Sequence, residues 1–82
     1  MKLPRDLSGP QLIKALSALG YDVTREESTH VRLTTLRGGE HHVTIPKHSP
    51  LRVGTLSHIL GDVAEHFGMT RDELLGTLLG KR

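Results

Sequence analysis

The fold is decided by residues 30–45, which read HVRLTTLRGGEHHVTI. From His30 to Leu33 the even-numbered residues are polar and the odd-numbered ones are apolar. This alternation is typical of a half-buried strand. A second alternating run, residues 41–45, follows the pair Gly38 and Gly39, both of which adopt positive φ easily. The stretch therefore predicts an antiparallel hairpin with one apolar and one polar face.

The sequence before this hairpin predicts a helix and a further strand. Ser8 and Gln11 have the spacing of a capping box, so we expect a first helix over about residues 9–19, with Gly20 just beyond its end. The next residues alternate again, which predicts a short strand over 21–25 with Tyr21 and Val23 pointing inward. The sheet is thus expected to have three strands.

The sequence after the hairpin predicts two more helices. Because proline lacks an N–H donor, we expect the chain to leave the sheet at Pro46. A second helix is expected from Gly54–Thr55 to Gly68, and a capping box of Thr70 and Glu73 introduces a third. The predicted fold is α+β, a three-stranded antiparallel sheet with helices packed on one face in the order α-β-β-β-α-α.

Length, charge and composition narrow the class of protein. The 82 residues suit one domain, 1–82, and the chain contains no cysteine, which excludes disulfides and thiolate sites. It has no apolar run long enough for a membrane span and no apolar signal region near its start, so we expect a soluble, cytoplasmic protein. Residues 1–54 carry 8 Lys/Arg against 5 Asp/Glu (+3), whereas 55–82 carry 3 against 4 (−1). The cationic surface is therefore expected in the first two thirds of the chain.

The polar face of the hairpin is the candidate site. His30 and Arg32 share it, so a titratable group and a permanent cation lie close enough to receive an anionic substrate. Two adjacent histidines, His41 and His42, must point to opposite faces and cannot both line one site. A metal centre is not expected, because no cysteine is present and no two histidines have ligand spacing on a predicted helix.

Several short motifs, in their order and spacing, resemble the HicA (YcfA-like) toxins of bacterial and archaeal toxin–antitoxin pairs. The resemblance covers about residues 7–75, and it is carried by these segments: Leu19-Gly20-Tyr21, Ser28-Thr29-His30, the Gly-Gly turn, Val43-Thr44-Ile45-Pro46-Lys47-His48, Gly54-Thr55-Leu56 and Ile59-Leu60. It implies a fold like the double-stranded RNA-binding domain, ribonuclease activity on messenger RNA without a metal or other cofactor, and neutralisation by a HicB-type antitoxin.

The resemblance also implies a catalytic residue. The family's histidine lies in a Gly-Ser-His motif that maps onto Ser28-Thr29-His30, with serine in place of the glycine and threonine in place of the serine. His30 is therefore the candidate for proton transfer, either from the 2′-hydroxyl or to the leaving oxygen, and Ser28 and Thr29 are its supporting residues. The candidates for contact with RNA phosphates are cations and one more histidine: Arg32, Lys47, His48 and Arg52.

Two other functions compete with this one. A non-catalytic RNA-binding module of the double-stranded-RNA-binding-domain type would hold phosphates with lysines at the start of a late helix, but Thr55 to His58 contain none. A structural subunit would bind protein through the leucine-rich third helix, although burial in the core is the commoner fate of such leucines. Ser28 or Thr29 as a nucleophile has no visible acid–base relay, so turn hydrogen bonding explains them better.

Overall fold

The computed structural model describes residues 7–47 and 51–79. The elements in chain order are α1 (Gly9–Leu16) continued by a 3₁₀ turn (Ser17–Leu19), β1 (Asp22–Glu26), β2 (His30–Thr35), β3 (His41–Pro46), α2 (Val53–Phe67) and α3 (Arg71–Leu79). The strands form one antiparallel sheet in the order β1-β2-β3. The predicted α+β fold and element order are confirmed.

Local sequence signals mark the starts of α1 and α3, and a glycine follows the 3₁₀ turn that continues α1. Ser8 and Gln11 form the complete capping box of α1, and Gly20 follows the 3₁₀ turn with φ 85°. At α3, the Thr70 N–H donates to Glu73 Oε1 at 2.8 Å, and the Glu73 N–H donates to Thr70 Oγ1 at 3.1 Å. Such reciprocal bonds satisfy N–H groups that have no partner within the helix.

The core lies between the helices and one face of the sheet. Val31, Leu33, Val43 and Ile45 are buried there, as the alternation predicted. From the helices come the remaining large apolar side chains, among them Leu12, Leu16, Leu56, Leu60 and Leu74. Leu74 and Leu75 are buried and Leu78 is partly buried, so α3 uses these leucines for packing rather than as an exposed docking stripe. In the part of the chain that the structure describes, no helix is both long and apolar enough to cross a bilayer.

The prediction for β1 is wrong in two respects. The strand begins at Asp22 rather than Tyr21, and Val23 is 50% exposed although Tyr21 is buried. Val23 does pair with Leu33 and so shares its face, but β1 is an edge strand and the helices contact chiefly β3. A register shift between Val23 and Arg25 also interrupts the pairing of β1 with β2. The alternating sequence indicated a strand, but it could not show that the described helices leave Val23 exposed.

The two other differences concern element ends. Pro46 remains in the sheet opposite His30, because proline is tolerated at the end of an edge strand. Its carbonyl oxygen lies so near Gly9 that a Cβ at Gly9 would collide with it, so α1 begins directly against the end of β3. α2 begins at Val53, one residue before the predicted Gly54, with Arg52 as an N-cap residue that makes no side-chain capping bond.

Candidate functional site

His30 is the first residue of β2 and lies on the sheet face that no helix covers. Its backbone is fixed from both sides: the Glu27 N–H donates to the His30 carbonyl at 2.8 Å, and the Lys47 N–H donates to the carbonyl of Thr29 at 2.9 Å. Pro46 pairs with His30 across the strands. The turn that carries this histidine is therefore anchored to the end of β3, although the side chain itself is exposed.

The imidazole of His30 is oriented by the residue before it. Thr29 Oγ1 lies 2.7 Å from His30 Nδ1, and no hydrogen bond to Nε2 is present among the described residues. Nε2 is therefore the ring nitrogen available to a substrate. The substitution of Ser28 for the family glycine causes no backbone strain, because among the described residues only glycines have positive φ.

A shallow cleft of about 210 Å³ opens beside His30, and its walls are the side chains of Arg25, Glu27, His30, Arg32 and Thr44. Arg25 and Arg32 are direct partners across β1 and β2, and Thr44 is the partner of Arg32 across β2 and β3. Arg25 Nη2 also lies 3.1 Å from Glu27 Oε2. The structure thus brings the predicted His30 and Arg32 together and adds three groups that were not predicted for the site, Arg25, Glu27 and Thr44.

The other predicted phosphate ligands do not line this cleft. Lys47 Nζ donates to Glu26 Oε2 at 2.8 Å, and this hydrogen bond together with the lysine's charge lowers the pKa of the Glu26 carboxyl. Alternation along β3 places Lys47 on the side of Ile45, opposite to His30. Arg52 is exposed just before α2. His48 lies outside the described residues.

A second histidine cluster lies on the helix side of the sheet. His41 Nδ1 is 2.7 Å from the Tyr21 hydroxyl, and His41 Nε2 is 3.3 Å from Asp62 Oδ1. The ring of His41 stacks on that of His66, with centroids 4.3 Å apart. Burial, and secondarily the charge of Asp62, raises the pKa of Tyr21 to about 12. Both ring nitrogens of His41 are occupied by protein groups, so this cluster is built for packing.

His42 points to the open face, as predicted for the neighbour of His41. Its Nδ1 is 2.7 Å from Thr34 Oγ1, and its Nε2 is 3.0 Å from Glu40 Oε2. The Thr34 hydroxyl continues to Thr24 Oγ1 at 3.0 Å. This polar row crosses all three strands at the far end of β2 from His30, and it keeps both nitrogens of His42 engaged.

No group of three or more His, Cys, Asp or Glu residues within 7–47 and 51–79 is arranged to hold a metal ion. The side chains that line the His30 cleft offer one imidazole, one carboxylate, two guanidinium groups and one hydroxyl. An arrangement of this kind suits an anionic substrate whose reaction needs a proton moved.

Comparison with known proteins shows the family of the chain. A family model described as the HicA toxin of bacterial toxin–antitoxin matches residues 9–64, which include all three strands and most of α2. No curated protein and no solved structure matches the chain. The matched range contains the whole His30 cleft.

Proposed function

Because the chain belongs to the HicA toxin family and is the toxin of a toxin–antitoxin pair, we propose that it is an endoribonuclease that cleaves single-stranded messenger RNA without a metal. The observation that carries this proposal is the open-face cleft, which His30 and Arg32 line together and in which no described residue bonds to His30 Nε2. A histidine titrates near neutral pH, and a guanidinium is a permanent cation that suits phosphate oxygens.

In the proposed reaction the RNA 2′-oxygen attacks the adjacent phosphorus while the bond from phosphorus to the 5′-oxygen breaks. The 2′-hydroxyl loses its proton and the leaving 5′-oxygen gains one, so the products are a 2′,3′-cyclic phosphate and a 5′-hydroxyl. His30 Nε2 moves one of these two protons, and solvent moves the other. Thr29 fixes the imidazole through Nδ1. General acid–base catalysis of this kind contributes roughly 10²- to 10⁴-fold in rate.

Arg32 is proposed to stabilise the charge that develops on the phosphate, since it lines the same cleft as His30. Lys47, His48 and Arg52 are proposed to contact the RNA outside the cleft. Of these, Lys47 must first leave its 2.8 Å bond to Glu26, so we expect a smaller contribution from it than from Arg32. Such contacts position the RNA backbone without reading its sequence.

The chain has an antitoxin partner by virtue of its family. We propose that the partner is a HicB-type protein that covers the His30 face and so keeps RNA out of the cleft. Both messenger RNA and such a partner imply action in the cytoplasm. The alternative is an RNA-binding module that cuts nothing. Such a domain would hold phosphate with lysines in the first turns of α2, and α2 of this chain has none there.

The test is to induce wild type, His30→Ala and His58→Ala separately in bacteria that lack the antitoxin. His58 is an exposed histidine on α2, which makes its variant a matched control. We expect wild type and His58→Ala to arrest growth and fragment messenger RNA, and His30→Ala to do neither. The purified proteins should show the same difference on RNA in the presence of a chelator. The proposal fails if folded wild type does not cut RNA, or if His30→Ala cuts as fast as the control.

A further inference from the structure

Arg25 reaches the His30 cleft because of an irregularity in β1. Side chains two apart along a strand share a face, so Arg25 should lie on the same side as Val23, which pairs with the buried Leu33. The register instead shifts between Val23 and Arg25, and Arg25 becomes the partner of Arg32 on the open face. Bulges of this kind re-aim a side chain and occur often beside active sites.

The resulting pair places two like charges directly opposite each other on neighbouring strands. Such pairs are destabilising unless something neutralises them. Arg25 is paired with Glu27 at 3.1 Å, but both side chains are well exposed, at 68% and 54%. Arg32 makes no ion pair with any described residue. The open face therefore places two cations, Arg25 and Arg32, side by side with one weakly held counter-ion, Glu27.

We propose that Arg25 and Arg32 together bind one RNA phosphodiester, and that Glu27 is the counter-ion which this phosphate displaces. The proposal rests on the proposed ribonuclease function and adds to it a second phosphate ligand, a residue outside the predicted set. Two guanidinium groups on adjacent strands present donors from two directions to the two non-bridging oxygens of the phosphate. Thr44, across from Arg32 on β3, lines the same cleft and adds a hydroxyl.

The role of Glu27 makes the proposal distinctive. A carboxylate in the cleft repels the RNA backbone and competes with phosphate for Arg25. If Glu27 is only a counter-ion, its neutralisation strengthens RNA binding and leaves proton transfer at His30 intact. If Glu27 were instead the general base, its neutralisation would slow cleavage. The two roles thus predict opposite results for Glu27→Gln.

The experiment measures binding of a short, mixed-sequence 2′-O-methyl RNA, which cannot be cleaved because its 2′-oxygens carry no proton. The otherwise native protein is compared with Arg25→Gln, Arg32→Gln, the double variant and Glu27→Gln at several salt concentrations. Arg71→Gln is the matched control, since the Arg71 guanidinium lies against Gly61 of α2 on the helix side of the sheet. All these side chains are exposed, and thermal unfolding verifies that each variant folds.

We expect each cleft arginine variant to bind roughly 10-fold more weakly, because each loses a charge-assisted hydrogen bond to phosphate. The salt slope, log Kd against log salt, should change little in each single variant, because the remaining arginine still neutralises the shared phosphate. It should fall by about 0.7 in the double variant, because one phosphate contact is then lost. Glu27→Gln should bind more tightly than wild type and cleave natural RNA at least as fast.

The proposal is overturned if Arg25→Gln binds like Arg71→Gln, if the double variant loses about 1.4 in salt slope as two separate phosphates require, or if Glu27→Gln slows cleavage. These outcomes differ from failure of the proposed function. A folded wild type that binds the uncleavable RNA through both arginines but does not cut natural RNA would refute the ribonuclease and leave the phosphate site standing.

Discussion

His30 and His41 begin adjacent strands, yet they lie in opposite environments. His30 faces solvent with one ring nitrogen bound to Thr29 and the other without a hydrogen bond to any described residue. His41 faces α2, with its two nitrogens bound to Tyr21 and Asp62 and its ring stacked on that of His66. The residues opposite them on the neighbouring strands also differ. Pro46, opposite His30, ends β3, whereas Thr35, opposite His41, is fully buried. A histidine with a free nitrogen in a cleft is available for chemistry, whereas one with both nitrogens occupied by protein groups stabilises the fold.

Exchanging each histidine for alanine should produce opposite defects, and this is the largest effect we predict. His30→Ala should lower the rate of RNA cleavage by roughly 100-fold or more, because it removes the proton-transfer group. Its free energy of unfolding should change by less than about 0.5 kcal/mol, as is usual for an exposed position. Cleavage of a labelled RNA and urea unfolding measure the two quantities.

His41→Ala should show the reverse pattern. It leaves the buried Tyr21 hydroxyl without its hydrogen-bond partner, which should lower the free energy of unfolding by roughly 1 to 3 kcal/mol. Cleavage measured well below the unfolding transition should stay close to the wild-type rate. The contrast between the two faces is refuted if both variants lose the same fraction of activity while remaining folded.

Thr34 and Thr35 provide the same comparison with neighbouring residues. Thr35 Oγ1 donates to the Leu19 carbonyl at 3.0 Å and accepts from the Arg37 N–H at 3.2 Å, all in a fully buried position. Thr35→Val keeps the shape but deprives both groups of a partner, so we expect a loss of about 2 kcal/mol in the free energy of unfolding. Thr34→Val on the open face should lose less than about 0.5 kcal/mol. Urea denaturation of both variants measures these free energies of unfolding. Equal losses in the two variants would contradict the predicted difference between the buried and the open face.

Much of this contrast could be predicted from the sequence. Period-2 alternation gave the two faces of β2 and β3, and the capping boxes at Ser8 and Thr70 gave two helix starts. These signals depend on residues that are close in sequence, so they can be recognised without knowledge of tertiary contacts. The placement of His30 and Arg32 on one open face followed from the same alternation.

The remainder depends on contacts between distant parts of the chain. No local pattern marks the register shift in β1, so the arrival of Arg25 in the cleft could not be predicted. Alternation also failed for Val23, because exposure depends on whether a helix covers the strand. Lys47 was predicted to contact RNA phosphates, and its ion-pair partner Glu26 could not be foreseen, because Glu26 lies 21 residues away in β1.

The stability that the helix side contributes should also depend on alkaline pH. The pKa of Tyr21 is about 12 in the folded protein and near 10.0 in the unfolded chain, so folding favours the neutral phenol. Its contribution is fully present below pH 10 and is lost as the pH rises towards 12, by up to about 2 kcal/mol. Tyr21→Phe should be less stable at neutral pH, because it loses the hydrogen bond between the hydroxyl and His41 Nδ1. Its stability should also decline less between pH 10 and 12, because no phenol ionises.

Two measurements check the alkaline prediction. Tyr21 is the single tyrosine of the chain, so phenolate absorbance reports its titration directly, and unfolding at each pH gives the stability. Subtracting the Tyr21→Phe curve removes the effect of the lysines, which titrate in the same range. A folded-state phenolate transition near pH 10 would show that burial and Asp62 do not perturb this group.

The smallest effect concerns Glu26, whose carboxylate holds Lys47 at the end of the sheet. The pKa of Glu26 is lowered by that hydrogen bond and by the lysine's charge, so the pair stabilises the fold above the normal pKa of a glutamate and ceases to do so as the pH falls through the lowered value. Glu26→Gln should therefore destabilise the protein slightly at neutral pH and not at all in acid, because exposed ion pairs are weak.

The same variant frees Lys47. If Lys47 contacts RNA, Glu26→Gln should bind the uncleavable RNA more tightly with a steeper salt dependence, and this gain should vanish in Glu26→Gln combined with Lys47→Gln. Binding that is unchanged in both variants would confine phosphate recognition near His30 to the open-face arginines.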